Sequence, residues 1–135
     1  MQERRNFLKK AVIATSAAAV AAMTKASAAE TGPYLNVVYT KDNPGKWAGK
    51  QGSHAPEITV AGSTVTVANK HGMSDEHFIV RHTLVLADGT VVGGKTFTPS
   101  DKPESTYELP AGYKGKVKAT SFCNQHDFWL TEAAV

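Results

Sequence analysis

HFIVRHTLVLADGTVVGGKTF, residues 77 to 97, contains two runs of β-branched and apolar residues with an Asp-Gly pair between them. Runs of this composition favour β-strands, because branched and apolar side chains pack well on a pleated, half-buried surface. Asp88-Gly89 is a typical turn of a β-hairpin. The stretch therefore predicts two neighbouring antiparallel strands, at 77 to 86 and 90 to 97.

Runs of the same kind recur along most of the chain. They lie at 57 to 60, 63 to 69, 105 to 109, 115 to 122 and 128 to 135. Turn-forming residues separate them at roughly the 8- to 12-residue spacing of β-sandwiches. The pattern predicts an all-β, immunoglobulin-like antiparallel β-sandwich of about seven strands. Residues 30 to 53, rich in Gly, Lys and Asn, predict a surface arm with one further strand at Leu35 to Tyr39.

The first 28 residues have the composition of an export signal. Arg4 and Arg5 precede an alanine-rich apolar run at 11 to 23, and Ala26-Ser27-Ala28 has the form of a signal-peptidase site. The paired arginines resemble the twin-arginine transport motif. The apolar run is too short to span a bilayer core of roughly 30 Å as a stable anchor. We therefore predict a twin-arginine signal peptide at 1–28, one mature domain at 29–135, a periplasmic location and no stable membrane anchor after processing.

The basic character of the chain comes from this signal. The formal net charge is +3 and the pI is about 9.0. Residues 1 to 28 contain five basic residues and one acidic residue, which leaves ten basic and eleven acidic residues in the mature domain. A nucleic-acid partner is therefore not predicted, because such a partner calls for a basic surface.

The single cysteine and the five histidines are the residues with the most chemistry. Cys123 has no partner for an internal disulfide, so it is a nucleophile, a metal ligand or a packing residue. His82 lies inside a predicted strand, five residues after His77, and an odd spacing places the two on opposite faces. We predict that His82 is a structural or surface residue outside any site. The other four histidines fall in predicted loops or at strand edges: His54, His71, His77 and His126.

The spacing of these residues suits one metal ion without identifying it. Cys-x-x-His at 123 to 126 pairs a thiolate with an imidazole, and His-x5-His at 71 to 77 can fold two more imidazoles towards the same centre. Four histidines and one cysteine fit neither a structural nor a catalytic zinc site well. Two other classes stay open on the residues alone. A cysteine hydrolase would use Cys123 and His126, and a cupredoxin-like electron carrier would commonly need an axial Met after Met73, which the sequence lacks.

Three stretches resemble, in order and form, the site motifs of the superoxide reductases, the desulfoferrodoxin and neelaredoxin family. They are KWAGKQGSHAPEI at 46 to 58, HGMSDEHFI at 71 to 79 and CNQHDFW at 123 to 129. The resemblance implies an immunoglobulin-like domain with one Fe(2+) ion that reduces superoxide to hydrogen peroxide by one electron. The ligands it implies are four equatorial histidines and one axial thiolate, which would be His54, His71, His77, His126 and Cys123.

The sequence departs from the family pattern beside the first histidine. Gly52-Ser53 stands where the family usually has Glu-Lys, and we expect Lys50 to replace the missing lysine, with Lys46 as the alternative. Asp127 stands where Gly commonly follows the last histidine. A single cysteine also excludes a second, four-cysteine iron centre. The sequence does not identify the external electron donor, is compatible with a homo-oligomer, and leaves open an iron-binding protein without turnover.

The paired arginines generate a prediction about export. Arg4→Lys combined with Arg5→Lys should trap an unprocessed precursor in the cytoplasm, because the twin-arginine pair is what the translocon recognises. Cell fractionation followed by immunoblotting of precursor and mature forms measures this. Normal processing and export of the double variant would indicate the general secretory route.

Overall fold

A computed structural model describes residues 34 to 135, and the predicted signal peptide lies outside the described residues. Eight strands form two sheets in this range. They are β1 (Val38–Tyr39), β2 (Glu57–Ala61), β3 (Thr64–Ala68), β4 (Ile79–Leu86), β5 (Val91–Thr96), β6 (Glu104–Glu108), β7 (Lys116–Cys123) and β8 (Asp127–Ala134). The predicted all-β sandwich is confirmed. No helix in the described part of the chain is long and apolar enough to cross a bilayer.

The larger sheet has the order β1-β8-β7-β4-β5, and the smaller one has the order β2-β3-β6. β4 and β5 form the predicted hairpin, in which the Thr90 N–H donates to Asp88 Oδ1 over 2.9 Å. Gly89 has φ +91°, a left-handed conformation that glycine adopts without a steric penalty. One pairing differs from the antiparallel prediction, since β1 runs parallel to β8 with Val38 opposite Phe128.

The main core lies between the two sheets. Alternate side chains of a strand share one face, so Val65 and Val67 of β3 pack in one cluster with Leu84, Val117 and Ala119 of the larger sheet. All five are fully buried. The period-two pattern read from the sequence therefore gives the correct inner face of both sheets.

The segment before β2 lies at the surface, as predicted, but contains short helical turns that the sequence does not predict. A 3₁₀ turn at Gly45–Trp47 and a one-turn helix, α1 (Gln51–His54), lie in it. Trp47 and Ala55 pack against Tyr39 and Trp129, which form a second core cluster. The predicted extra strand is present but short, and no residue from 40 to 53 is buried, in agreement with the predicted surface arm. Four residues are too few to show the apolar periodicity by which a helix is recognised in a sequence.

His82 is a buried structural residue rather than a surface one. It is 0% exposed on β4. Its Nε2–H donates to Asn69 Oδ1 over 2.7 Å, and its Nδ1 accepts from the Ser105 hydroxyl over 2.8 Å. Burial lowers the pKa of His82 to about 4, and the charge of Lys95 acts in the same direction. The ring is therefore neutral at pH 7.

The buried ring of His82 predicts a dependence of stability on pH. Because the pKa of His82 in the folded state is lower than the ordinary histidine value of 6.5, the unfolded chain takes up a proton at pH values where the folded chain does not. The resulting stability is fully present above pH 6.5 and is lost as the pH falls towards 4. The free energy of unfolding should fall over this window by up to about 3 kcal/mol through His82 alone.

Urea denaturation of the wild type and of His82→Gln, at several pH values between 7 and 4, isolates this effect. Glutamine does not titrate, so the variant should lose less stability than the wild type as the pH is lowered, whatever its stability at pH 7. Parallel pH profiles for the two proteins would contradict the assignment.

Candidate metal centre

Five side chains from three stretches of the chain, at 54, 71 to 77 and 123 to 126, lie close together. The donor atoms of four of them all lie within 4.8 Å of one another: His54, His77, Cys123 and His126. His71 adjoins this group, with its Nε2 3.1 Å from His77 Nε2 and 4.0 Å from Cys123 Sγ. The structure thus brings together all five residues named as ligands by the family resemblance.

His54 ends α1 with its ring held in one orientation. Its Nδ1 lies 3.0 Å from the Lys50 carbonyl oxygen and 2.8 Å from Ser53 Oγ. A carbonyl oxygen only accepts, so Nδ1 carries the proton and Nε2 carries the lone pair. That Nε2 is buried without a hydrogen-bond partner. A buried nitrogen with a free lone pair is costly unless a proton donor or a cation approaches it.

The two loops that carry His71, His77 and His126 are tied to each other. Asn124 accepts the Phe78 N–H at its Oδ1 over 3.0 Å and donates from Nδ2 to the Glu76 carbonyl over 3.0 Å. Gln125 donates to the same carbonyl over 2.8 Å. Within the first loop, Ser74 and His77 exchange backbone hydrogen bonds of 3.0 and 3.2 Å. The two loops are therefore fixed by hydrogen bonds that do not use the imidazoles.

Cys123 ends β7 and is 1% exposed. Its sulfur lies 3.6 Å from His126 Nδ1. Burial raises the pKa of the thiol, while backbone hydrogen bonds from Gln125 and His126 act in the opposite direction. Without a cation the sulfur is therefore protonated at pH 7, and a bound metal ion would hold it as the thiolate.

His126 is held by two tryptophans. Trp129 donates its indole N–H to the His126 carbonyl over 2.8 Å, and the Trp47 ring stands edge-on to the imidazole at 4.6 Å between centroids. Asp127 follows with φ +64°, a left-handed conformation that costs little only for Gly, Asn or Asp. The Trp47 indole N–H donates to its carboxylate over 3.1 Å. Asp127 thus occupies a position where the family commonly has Gly, and it adds a contact that Gly cannot make.

The imidazoles are electrically suited to bind a cation. Burial lowers the pKa of His54 to about 4 and, with the neighbouring histidines, lowers the pKa values of His71 and His126. Neutral rings offer lone pairs, as metal binding requires. His77 Nε2 has His71 Nε2 at 3.1 Å and His126 Nδ1 at 3.0 Å. Neutral imidazoles and one sulfur are a donor set for a transition metal, so the residues fit the group that the resemblance implies.

A pocket of about 380 Å³ opens onto the cluster from one side. Lys50, His54, His71 and His77 line it, whereas Cys123 does not. The positive charge of Lys50 contributes to the lowered pKa of His126. Lys46 lies elsewhere, 3.4 Å from the Asp127 carboxylate and over the Trp47 ring. Of the two lysines considered from the sequence, Lys50 is thus the one at the pocket.

Sequence reasoning missed the residues that support the ligands. The Asn124 side chain ties the loops together, and Asn69, at the end of an apolar strand, donates to the backbone of His54 over 2.9 Å. The sequence signal for Asn69 is an asparagine that lies between the end of a predicted strand and a histidine, as in ANKH at 68 to 71. His54 was placed in a loop by the sequence and lies in α1.

The fold and the cluster define a β-sandwich protein with a candidate metal centre of four imidazoles and one thiol. The family model of desulfoferrodoxin matches residues 46–132, and the chain belongs to the desulfoferrodoxin family. The desulfoferrodoxin of Nitratidesulfovibrio vulgaris is 39% identical over 88 residues, which are 63% of this chain and 66% of that protein.

Two solved structures show the same architecture. The superoxide reductase (neelaredoxin) of Ignicoccus hospitalis matches with a TM-score of 0.63 at 23% identity, over 78% of this chain and 98% of its own. The superoxide reductase of Treponema pallidum matches with a TM-score of 0.53 at 28% identity, over 62% of this chain and 68% of its own. The predicted relationship to this family is confirmed.

Proposed function

We propose that the protein is a superoxide reductase with one iron ion held by His54, His71, His77, His126 and Cys123. One observation carries the proposal: four imidazoles and one buried thiol converge beneath a pocket that is lined by histidines and not by the cysteine. The family membership and the two superoxide reductases of the same fold support it.

In the proposed enzyme the five clustered residues bind the metal, and the pocket gives superoxide access to it. When bound, ferrous iron would supply the single electron that, together with two protons, converts superoxide to hydrogen peroxide. The ligand set carries one negative charge, on the thiolate, so a divalent cation leaves the centre with a net charge of about +1. The imidazoles leave the pocket side accessible to a small anion. Cys123 does not line the pocket and is 1% exposed, so its sulfur is shielded from solvent.

Lys50 is proposed to attract the substrate. It lines the pocket beside His54, one helical turn earlier in the chain. A cationic group at the mouth of a pocket raises the arrival rate of an anion, and salt screens that effect. Solvent reaches the open pocket, so water can supply the two protons without a dedicated acid.

The alternative functions are less well supported. A cysteine hydrolase needs a sulfur that a carbonyl substrate can reach, and Cys123 is 1% exposed. A cupredoxin-like carrier commonly needs an axial methionine, and the only methionine among residues 34 to 135 is Met73, whose sulfur accepts the Ile79 N–H over 3.4 Å. An iron-binding protein without turnover shares the ligand set, and only kinetics with superoxide separates it from the enzyme.

We further propose that residues 1–28 direct export to the periplasm through the twin-arginine pathway, on the sequence features described above. Export of a folded protein would allow the metal to be bound before translocation. The external electron donor and the formation of a homo-oligomer stay predictions.

The ligand set predicts the metal content and its spectrum. The purified mature domain should contain about one iron per chain and, when oxidised, show a visible absorption band from charge transfer between the Cys123 thiolate and the iron. Supplied with an electron donor, it should form one hydrogen peroxide per superoxide, whereas dismutation forms half as much. Cys123→Ser should abolish the band and the activity.

Thr131→Ser is a matched control, since it is an equally small change at a β8 residue outside the cluster. It should keep the iron, the band and the activity. Zinc or copper in place of iron, with no such band on oxidation, would contradict the proposed function. Iron with the band, but without consumption of superoxide, would identify an iron-binding protein without turnover.

The position of Lys50 predicts an effect on the encounter with superoxide. Lys50→Ala should lower the second-order rate constant roughly threefold, since two unit charges about 7 Å apart in water attract by about 0.6 kcal/mol. Its dependence on ionic strength should flatten while the iron spectrum stays intact. Pulse radiolysis or stopped-flow mixing measures both quantities.

Lys46→Ala is the control, because its ammonium group lies against Asp127 and Trp47. It should change the rate constant less than Lys50→Ala does. An equal or larger effect of Lys46→Ala would assign the role to Lys46. If neither variant has an effect, the net charge of the metal centre alone attracts superoxide.

A further inference from the structure

One buried amide, that of Asn69, lies where four polar contacts meet. Its Nδ2 donates to the His54 carbonyl over 2.9 Å and to the Ser53 carbonyl over 3.2 Å. Its Oδ1 accepts from His82 Nε2–H over 2.7 Å and from the Ser121 hydroxyl over 3.0 Å. Asn69 is 8% exposed, and His82 and Ser121 are 0% exposed. The amide is therefore saturated inside the protein.

The direction of every bond in this network follows from the two carbonyl groups. Carbonyl oxygens only accept, so the NH₂ end of the amide must face Ser53 and His54, and its oxygen must face His82 and Ser121. His82 then has to donate through Nε2, which leaves Nδ1 to accept from Ser105. The network has one consistent arrangement of protons, and it fixes the orientation of the amide.

The network reaches the segments that carry four of the five clustered residues. Asn69 lies two residues before His71, and Ser121 lies two residues before Cys123 on β7. His82 belongs to β4, the strand that begins just after His77. The bonds to α1 end at His54 itself. A displacement of this single amide would therefore disturb the segments that carry four of the five clustered residues.

α1 depends on such an anchor because it is short. It has four residues, its N-terminal flanking residue makes no side-chain capping bond, and an isolated helix of one turn is unstable in water. The imidazole of His54 is oriented by Lys50 and Ser53, which belong to the same turn. These contacts orient the imidazole relative to the helical turn, but they do not fix the position of the turn relative to the two sheets. The two bonds from Asn69 connect it to β3.

We propose that Asn69 is a positioning residue for the metal centre: with its orientation set by His82 and Ser121, it holds the backbone of α1 so that His54 Nε2 faces the other four ligands. This proposal rests on the proposed metal-binding function. Residues that orient metal ligands without touching the metal typically account for about 10- to 100-fold in metal affinity.

The test uses Asn69→Asp in the full mature protein. Aspartate keeps an oxygen towards His82 and Ser121 but places a second oxygen, instead of an NH₂ group, against the carbonyls of Ser53 and His54. Affinity for Co(II), measured by visible absorption in competition with a chelator, should fall about 10- to 100-fold. The charge-transfer band of the iron-loaded, oxidised protein should shift in position.

Two further variants keep the test decisive. Val117→Ala, which truncates a fully buried residue of the main core, should lower the melting temperature without changing the Co(II) affinity or the band. Ser121→Ala, which removes one of the two donors to the amide oxygen, should cause a smaller loss of affinity in the same direction, and it carries the test if Asn69→Asp does not fold.

The outcomes separate this proposal from the proposed function. Wild-type affinity and an unshifted band in Asn69→Asp, or in Ser121→Ala if the first variant does not fold, would overturn the positioning role alone. Equal losses of affinity in Val117→Ala would overturn it as well, since the effect would then be one of stability. A wild type that binds neither iron nor Co(II) at the cluster would overturn the proposed function, and this inference with it.

Discussion

The close approach of five electron-rich atoms is the constraint on which the rest of the structure depends. His77 Nε2 lies 3.1 Å from His71 Nε2 and 3.0 Å from His126 Nδ1, and the buried Nε2 of His54 has no partner. Neutral His71 and His126 can each donate to His77 Nε2, but the lone pair of His54 Nε2 has no donor, and burial opposes its protonation. The cluster is therefore unfavourable by itself and becomes favourable when a cation binds. Metal binding would then add to the stability of the folded state.

Because the clustered side chains are unfavourable together without a cation, other residues must hold them in place. They do so mostly through hydrogen bonds to backbone groups. Asn124 ties the first ligand loop to the turn after Cys123, and Trp129 holds the carbonyl of His126. Asn69 connects α1 to β3. These contacts leave the donor atoms free, because they use carbonyl and N–H groups or the far side of a ring. The β-sandwich matters to the site chiefly as a rigid source of strand ends from which the ligand loops start.

The sequence predicts the strands well and the supports poorly, for a physical reason. A strand repeats every two residues, so a run such as TVTVA at 64 to 68 shows its inner face in its letters. Spacing alone leaves other classes of protein open, so the five clustered residues are predicted only through the resemblance of the three motifs to a family. A four-residue helix has no period to detect, and the parallel pairing of β1 with β8 joins segments about 90 residues apart. The role of Asn69 likewise depends on His82 and Ser121, which lie far away in sequence.

Gly52-Ser53 stands where the family usually has Glu-Lys, between Lys50 and His54 in the chain. Ser53 cannot supply the charge of the family's lysine, but its hydroxyl lies 2.8 Å from His54 Nδ1 and helps to orient the ring. Gly52, with open space where a side chain would lie, leaves this flank of α1 uncrowded. Lys50, three residues before Ser53, lines the pocket. Because one helical turn separates Lys50 from His54, the same carbonyl that accepts from the imidazole belongs to the residue that carries the charge. The residues proposed to orient His54 and to attract an anion thus share one turn of helix, and Asn69 is hydrogen-bonded to the backbone of that turn.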